Sequence, residues 1–149
     1  MAEIITREKF RQLGLSHRVS VTSRGTGDWH VGERADERTL QALTVGGYNG
    51  VTHRAKQFEV VDFSTHDLIV ALDQGHARAL HDLAPTPSDQ AKIELLLSFV
   101  PGNAGDLDVF DPYYSDQDAF TRVLEDIESA CSALIRQLEP ALRHGETTA

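Results

Sequence analysis

The feature that most constrains the fold is a continuous apolar run, Leu68-Ile69-Val70-Ala71-Leu72, which ends at Asp73. A run that is apolar at every position fits a strand buried on both faces of a parallel sheet. A second segment, Ile93-Glu94-Leu95-Leu96-Leu97, predicts another strand, and a short helix from His76 to Leu83 lies between the two segments. Strands that alternate with helices indicate an α/β fold with a parallel sheet and right-handed crossovers.

Other segments extend this pattern on both sides. Residues 1–13 have apolar side chains on one side of a predicted helix, which Gly14 ends. Residues 18–23 alternate as a strand, and Asp36 can cap a helix that runs to about Val45. Ser115 is the predicted cap of a long last helix, because apolar residues recur after it at spacings of three and four.

The composition limits the classes of protein that fit. A chain of 149 residues with 40% hydrophobic and 25% charged residues is expected to form one domain, residues 1–149. A net charge of −9 gives no general attraction for phosphate backbones, so no nucleic-acid partner is predicted. No apolar run reaches membrane-spanning length and no signal-peptide pattern opens the sequence, so no membrane partner is predicted. We expect a cytoplasmic protein, and the alternative is a protein that is exported without a signal peptide. The oligomeric state stays open.

The candidate chemistry follows the predicted strands. In open α/β sheets, ligands bind beyond the carboxyl ends of the strands. Residues 23–29, Asp73 and the segment that leads to Asp111-Pro112-Tyr113-Tyr114 all leave such ends. Pro112 biases Asp111 towards an extended conformation, which gives its carboxyl a defined direction and suits a proton donor beside two aromatic walls. Taken alone, the same four residues also fit an ordinary turn with two surface tyrosines.

The one cysteine, Cys131, lies within the apolar stripe of the last helix. A catalytic thiolate needs accessible, electropositive surroundings, so we predict that Cys131 is a small core side chain. A single cysteine forms no disulfide framework, and the histidines lack the spacing of metal ligands. The sequence therefore predicts no metal site and no cofactor. The cations expected to be solvated are Arg34, Arg38, Arg54 and Lys56.

Several motifs in fixed order carry a family resemblance. They are Met1-Ala2-Glu3, Thr22-Ser23-Arg24, Gly25-Thr26-Gly27-Asp28-Trp29-His30, His53-Arg54-Ala55-Lys56-Gln57, Val70-Ala71-Leu72-Asp73 and Asp111-Pro112-Tyr113-Tyr114. Together they span nearly the whole chain and resemble the low-molecular-weight protein-tyrosine phosphatase family, in its actinobacterial branch. The resemblance implies a three-layer α/β fold around a small central parallel sheet.

The resemblance also implies a chemistry. A cysteine thiolate in a Cys-x-x-x-x-x-Arg phosphate loop attacks the phosphorus of a phosphotyrosine-containing protein or peptide and forms a phosphocysteine. Asp111 matches the acid that protonates the phenolate leaving group and then, as a base, activates water. The residues that match the aromatic cleft walls are Trp29, Tyr113 and Tyr114. Those that match the groups orienting the phosphate loop are Ser23, His53 and Asp73.

The departure from the family lies at the start of the chain. In the family, Met1-Ala2-Glu3 follows directly on the phosphate loop and on a first strand that lies inside the sheet, and neither segment is in this sequence. We therefore expect an N-terminally truncated domain whose recorded start is an internal methionine, and an inactive form because the nucleophile is missing. Two strand edges are expected to be unpaired, at a cost of about 1–3 kcal/mol for each buried unpaired group. Arg24 is a second departure from the family, which usually has a small residue at this position.

The alternatives to this phosphatase hypothesis are a non-catalytic module and an arsenate reductase. A non-catalytic module would present Trp29, Tyr113 and Tyr114 to a protein partner without turnover, so enzymatic activity stays open at the level of sequence. An arsenate reductase on the same fold needs redox cysteines, and residues 73–83 contain none. We set the reductase aside.

Overall fold

A computed structural model describes residues 1–145. The described helices are α1 (Ala2–Gln12), α2 (Glu37–Val45), α3 (Val61–Thr65), α4 (Gln74–Leu83), α5 (Pro87–Gln90) and α6 (Gln117–His144). The described strands are β1 (Ile69–Ala71) and β2 (Ile93–Leu95), and a 3₁₀-helix follows at Leu96–Phe99. Among residues 1–145, no helix is both long and apolar enough to cross a membrane.

The sheet is built on the two apolar runs. β1 and β2 pair in parallel, with Ile69 opposite Ile93 and Ala71 opposite Leu95. The crossover between them contains α4 and α5, and Leu80 of α4 packs on the sheet together with Phe63. The predicted α/β fold is confirmed. β2 ends two residues earlier than predicted because the chain turns into the 3₁₀-helix at Leu96, which enters the main core.

The main core lies along α6. Its apolar stripe packs against α1, α2 and the 3₁₀-helix. The buried members of this core from the rest of the chain are Ile5, Ala42, Leu43 and Leu96, and those from α6 are Phe120, Val123, Leu124, Ile127, Ala130, Cys131 and Leu134. Cys131 is fully buried, which confirms the predicted core position.

Residues 18–23 differ from the prediction of a strand. Val19 and Val21 pack against Phe10, Leu15 and Ile135, as the alternation of the sequence indicates. These residues do not pair in the β1–β2 sheet, and the nearest bridge joins Gly25 to Gln57. The Arg7 side chain instead donates from Nε to the backbone oxygen of Val21 at 2.8 Å. Alternation determines which side chains are buried, but a strand also needs a hydrogen-bonded neighbour.

The start of α6 also differs from the prediction by one residue. The N-cap is Asp116, whose Oδ1 accepts a hydrogen bond from the backbone N–H of Ala119 at 3.0 Å. Ser115 belongs to the preceding turn, in which its N–H donates to the oxygen of Pro112 at 2.8 Å. The serine was the wrong cap because the adjacent aspartate has the same capping ability and lies at the position from which its carboxylate reaches Ala119.

This cap can be tested with a matched pair of variants. Asp116→Ala is expected to lower the free energy of unfolding by about 1 kcal/mol, because α6 loses its side-chain cap. Ser115→Ala keeps the cap and is expected to change that free energy by less than about 0.5 kcal/mol. Urea unfolding of both variants beside the wild type measures the difference. A larger loss for Ser115→Ala would contradict the assignment.

Candidate functional site

The segment that contains Asp111 is fixed to the carboxyl end of β1. The backbone N–H of Val109 donates to the oxygen of Leu72 at 2.8 Å. Next to it, the N–H of Gln74 at the start of α4 donates to Oδ1 of Asp108, also at 2.8 Å. Asp111 lies two residues beyond this attachment, where its side chain is exposed and its Oδ1 accepts from the N–H of Tyr113 at 3.0 Å. The carboxyl therefore stands at the edge of the sheet where ligands of α/β folds bind.

Two tyrosines follow Asp111 and face solvent. Their rings meet edge to face with centroids 5.0 Å apart, and Tyr114 is 97% exposed. The guanidinium of Arg38 packs against one ring of this pair. It lies 5.6 Å from the ring centroid of Tyr113 and 4.5 Å from the ring centroid of Phe120. Such distances allow a cation–π contact on each ring. The ring of Tyr113 is therefore partly exposed to solvent and also contacts the guanidinium of Arg38, which packs on the buried ring of Phe120.

Arg38 is a residue whose role the sequence did not reveal. The sequence predicts a solvated charge, but Nη1 of Arg38 donates to the backbone oxygen of Ser115 at 3.0 Å, and Nη2 lies 3.0 Å from Oδ2 of Asp36. Hydrogen bonds from this guanidinium lower the pKa of Asp36, and the carboxylate raises the pKa of Arg38 in turn. Both residues stand at the start of α2, so the available signal was the Asp-x-Arg spacing at a helix cap.

Trp29 lies on a separate loop. Its indole is 75% exposed and lies over Gly27, where an added Cβ would come within 2.3 Å of the ring. Backbone hydrogen bonds of 2.8 Å from Gly32 to Ala55 and 2.9 Å from Ala55 to Glu33 close the loop. The loop therefore holds the indole at the protein surface. Within residues 1–145, no hydrogen bond or ring contact joins Trp29 to the two tyrosines, so the three predicted wall residues form two separate exposed groups.

Ser23 and His53 meet, and Glu3 joins them. The Ser23 hydroxyl donates to Oε2 of Glu3 at 2.5 Å and lies 2.9 Å from Nε2 of His53. That same Nε2 lies 3.3 Å from the Glu3 carboxylate, which also pairs with Arg7 at 3.1 Å. A hydrolytic triad needs the carboxylate at the ring nitrogen opposite the serine. The observed geometry is therefore a positioning network that joins α1 to the extended segment.

A cleft of about 1040 Å³ opens beside this network. Ser23 and His53 line it, whereas Asp111 and the aromatic residues Trp29 and Tyr113 do not. The cationic side chains of its lining are Arg7, Arg11, Arg24, Arg54 and Lys56, and the acidic ones are Glu3 and Glu8. Cations outnumber acids here although the chain carries a net charge of −9, so the cleft suits an anionic group.

Asp73 is not part of that network. Its Oδ1 accepts from the N–H of His76 at 2.7 Å, which caps α4, and its Oδ2 lies 2.8 Å from Nδ1 of the same histidine. Asp73 caps α4 and so holds Gln74, the first residue of that helix, in place. The N–H of Gln74 in turn donates to Oδ1 of Asp108. The described contacts therefore connect Asp73 to the Asp111 segment, while Ser23 and His53 are connected to α1.

The thiol of Cys131 is not arranged for nucleophilic chemistry. The Thr6 hydroxyl donates to Sγ at 3.3 Å, and the residue has no exposed surface. Burial raises the pKa of the Cys131 thiol, whereas a nucleophilic thiolate needs a lowered one. Within residues 1–145, no group of three or more His, Cys, Asp and Glu side chains is placed to hold a metal ion.

Comparison with known proteins identifies the family of the chain. Residues 1–144 match the family model described as low molecular weight phosphotyrosine protein phosphatase. The chain belongs to this family. A low molecular weight protein-tyrosine-phosphatase of Streptomyces coelicolor is 51% identical over 136 residues, which are 91% of this chain and 82% of that protein. Protein-tyrosine phosphatase A of Mycobacterium tuberculosis is 44% identical over 135 residues, which are 90% of this chain and 80% of that one.

Solved structures show the same fold. A protein tyrosine phosphatase from Entamoeba histolytica, with Hepes in its active site, superposes with a TM-score of 0.87 at 28% identity, covering 94% of this chain and 88% of that one. A low molecular weight phosphotyrosine phosphatase from Vibrio cholerae gives a TM-score of 0.83 at 34% identity, covering 93% and 86%. The fold predicted from the resemblance is confirmed, and the family and its relatives indicate a protein-tyrosine phosphatase.

The network around Ser23 leads to a stability test in this phosphatase. Ser23→Ala removes the hydroxyl between Glu3 and His53 and is expected to lower the free energy of unfolding by about 1–2 kcal/mol. Ser20→Ala is the matched control, because Ser20 is exposed on the same segment, and we expect a change below about 0.5 kcal/mol. Urea unfolding compares the two. Equal effects would contradict a positioning role for Ser23.

Proposed function

We propose that residues 1–149 form one phosphatase domain that supplies the general acid, the aromatic walls and an anion-attracting cleft for hydrolysis of phosphotyrosine through a phosphocysteine intermediate. The observation that carries the proposal is the attachment of the Asp111 segment to the end of β1 by Val109 and Asp108, because a proton donor must be held where the leaving group departs. The substrates are phosphotyrosine-containing proteins or peptides, and the proposed location is the cytoplasm.

The proposed chemistry has two steps. A thiolate attacks phosphorus, the bond from phosphorus to the phenolic oxygen breaks, and Asp111 gives its proton to that oxygen. The Asp111 carboxylate then takes a proton from a water molecule that attacks the phosphocysteine, which releases phosphate and regenerates the thiolate. Trp29, Tyr113 and Tyr114 contact the substrate ring in this scheme. Ser23, His53 and Asp73 position neighbouring groups without touching the reacting atoms.

The thiolate of this scheme does not come from Cys131. The sequence has no other cysteine, and Cys131 is enclosed by the core that joins α1 to α6. We propose that residues 1–149 alone do not turn over phosphotyrosine. In this scheme the nucleophile belongs to a phosphate loop of the kind that the family resemblance places before Met1-Ala2-Glu3.

A fusion protein tests this proposal. A segment with the first strand and the phosphate loop of the family is joined ahead of Met1, and hydrolysis of free phosphotyrosine is measured. The fusion is expected to hydrolyse it, and residues 1–149 alone are expected not to. Asp111→Asn in the fusion is expected to lower kcat by about 10²- to 10⁴-fold, because the leaving group loses its proton donor.

Asp106→Asn is the matched control, since Asp106 is an exposed aspartate of the same segment. We expect its kcat to stay within about twofold of the unmodified fusion, because a surface substitution of this kind removes no contact with the reacting groups. Equal losses for Asp106→Asn and Asp111→Asn would contradict the assignment of Asp111. Turnover by residues 1–149 alone would contradict the assignment of the nucleophile.

The second candidate function is a non-catalytic module that binds a protein partner. The observation that favours it is the exposure of Trp29 and Tyr114, at 75% and 97%. Exposed large aromatic side chains are typical of binding surfaces. A folded fusion that binds phosphotyrosine peptides without hydrolysing them would support this function against the first.

A further inference from the structure

Residues 106–118 form an exposed surface of aromatic rings and carboxylates, which we call the acidic aromatic rim. Phe110 is 61% exposed, Tyr113 51% and Tyr114 97%, so three large rings lie open within five positions of the chain. Scattered exposed apolar side chains are normal, but contiguous ones mark interaction surfaces. The rim therefore has the character of a binding surface.

The charge of the rim has one sign. From Ile93 to Thr121 the sequence contains no lysine, arginine or histidine. The aspartates of the rim are Asp106, Asp108, Asp111, Asp116 and Asp118. The cation that the structure places against the rim is Arg38, which lies beneath Tyr113 and forms an ion pair with Asp36 at 3.0 Å. A ligand at this surface meets carboxylates that no cation of the segment itself neutralises.

The rim is also held in a fixed arrangement. Asp108 is attached to the start of α4, and Asp116 caps α6, so both ends of the segment are anchored to helices. Asp118 is exposed, and within residues 1–145 its carboxylate forms no hydrogen bond or ion pair. Anchored carboxylates lose little conformational freedom when a ligand binds, which favours recognition.

We propose that the acidic aromatic rim binds lysine and arginine residues that flank the phosphotyrosine of the substrate. This inference rests on the proposed function and deepens it. Ammonium and guanidinium groups pair with carboxylates, and they also bind the face of an exposed ring such as that of Phe110. The rim repels the dianionic phosphate itself, whereas the cleft lined by Arg24, Arg54 and Lys56 attracts it. A substrate with a basic flank matches both surfaces, and one with an acidic flank matches only the cleft.

Peptide binding to the full chain tests the inference. Two labelled peptides of equal length contain a central unphosphorylated tyrosine, flanked in one by lysine and arginine and in the other by aspartate and glutamate. Fluorescence anisotropy at low salt is expected to show about tenfold tighter binding of the basic peptide. Added salt is expected to reduce this preference. Equal affinities, or tighter binding of the acidic peptide, would overturn the inference.

Matched variants locate the effect. Asp106→Asn combined with Asp118→Asn is expected to weaken binding of the basic peptide about three- to tenfold. Asp67→Asn combined with Asp82→Asn changes the net charge equally at exposed positions outside the rim, and the affinity is expected to stay within about twofold. Equal weakening by both pairs would overturn the rim as the binding surface.

These peptides need no phosphate group and no turnover, so the two proposals fail separately. A fusion without phosphatase activity, beside a basic-peptide preference that depends on the rim, would overturn the proposed function and retain the rim as a binding surface. If the fusion is active and the two peptides bind with equal affinity, the rim is overturned as a binding surface and the proposed phosphatase function is retained.

Discussion

The packing of the apolar stripe of α6 against its neighbouring helices is the interaction on which the rest of the structure depends. A two-stranded sheet such as β1–β2 is too small to be stable by itself in water, so helices must supply most of the buried apolar surface. α6 supplies it by packing against α1, α2 and the 3₁₀-helix. This packing brings Glu3 of α1 to Ser23 and His53, and it brings Phe120 beneath Arg38. Both groups of candidate site residues therefore take their positions from one helix.

The distribution of charge separates two surfaces with different roles. Cationic side chains of α1 and of residues 24–56 surround the cleft beside Ser23, although the chain as a whole is acidic. Aspartates and open aromatic rings form the rim that includes Asp111. The proposed phosphatase uses both surfaces, since one attracts the phosphate and the other contains the proton donor.

The sequence predicted the elements whose signals are local. The apolar runs of β1 and β2, the Asp36 cap of α2 and the buried position of Cys131 are all present. The pairing of residues 18–23 with a neighbouring strand was not predictable in the same way. Residues 18–23 have the alternation of a strand, but alternation reports only burial, and the partner strand must come from elsewhere in the chain.

The contacts of the site were less predictable than its fold. The family motifs singled out Ser23, His53 and Asp73 as one group, yet the structure connects Asp73 to the Asp111 segment through α4 and connects the other two to Glu3. Arg38 was missed because the Asp-x-Arg spacing indicates at most the ion pair with Asp36 and carries no signal for stacking on Tyr113 and Phe120. Such contacts depend on the packing of distant elements, which no short motif encodes.

The most direct test of the phosphatase assignment is to trap its covalent intermediate. The fusion protein is mixed with a phosphotyrosine peptide and quenched in acid during turnover, and the phosphoryl group is located by peptide mass mapping. We predict that it lies on the cysteine of the phosphate loop added ahead of Met1 and that Cys131 is unmodified. A phosphoryl group on Cys131, or on any other residue between Met1 and Ala149, would contradict the assignment.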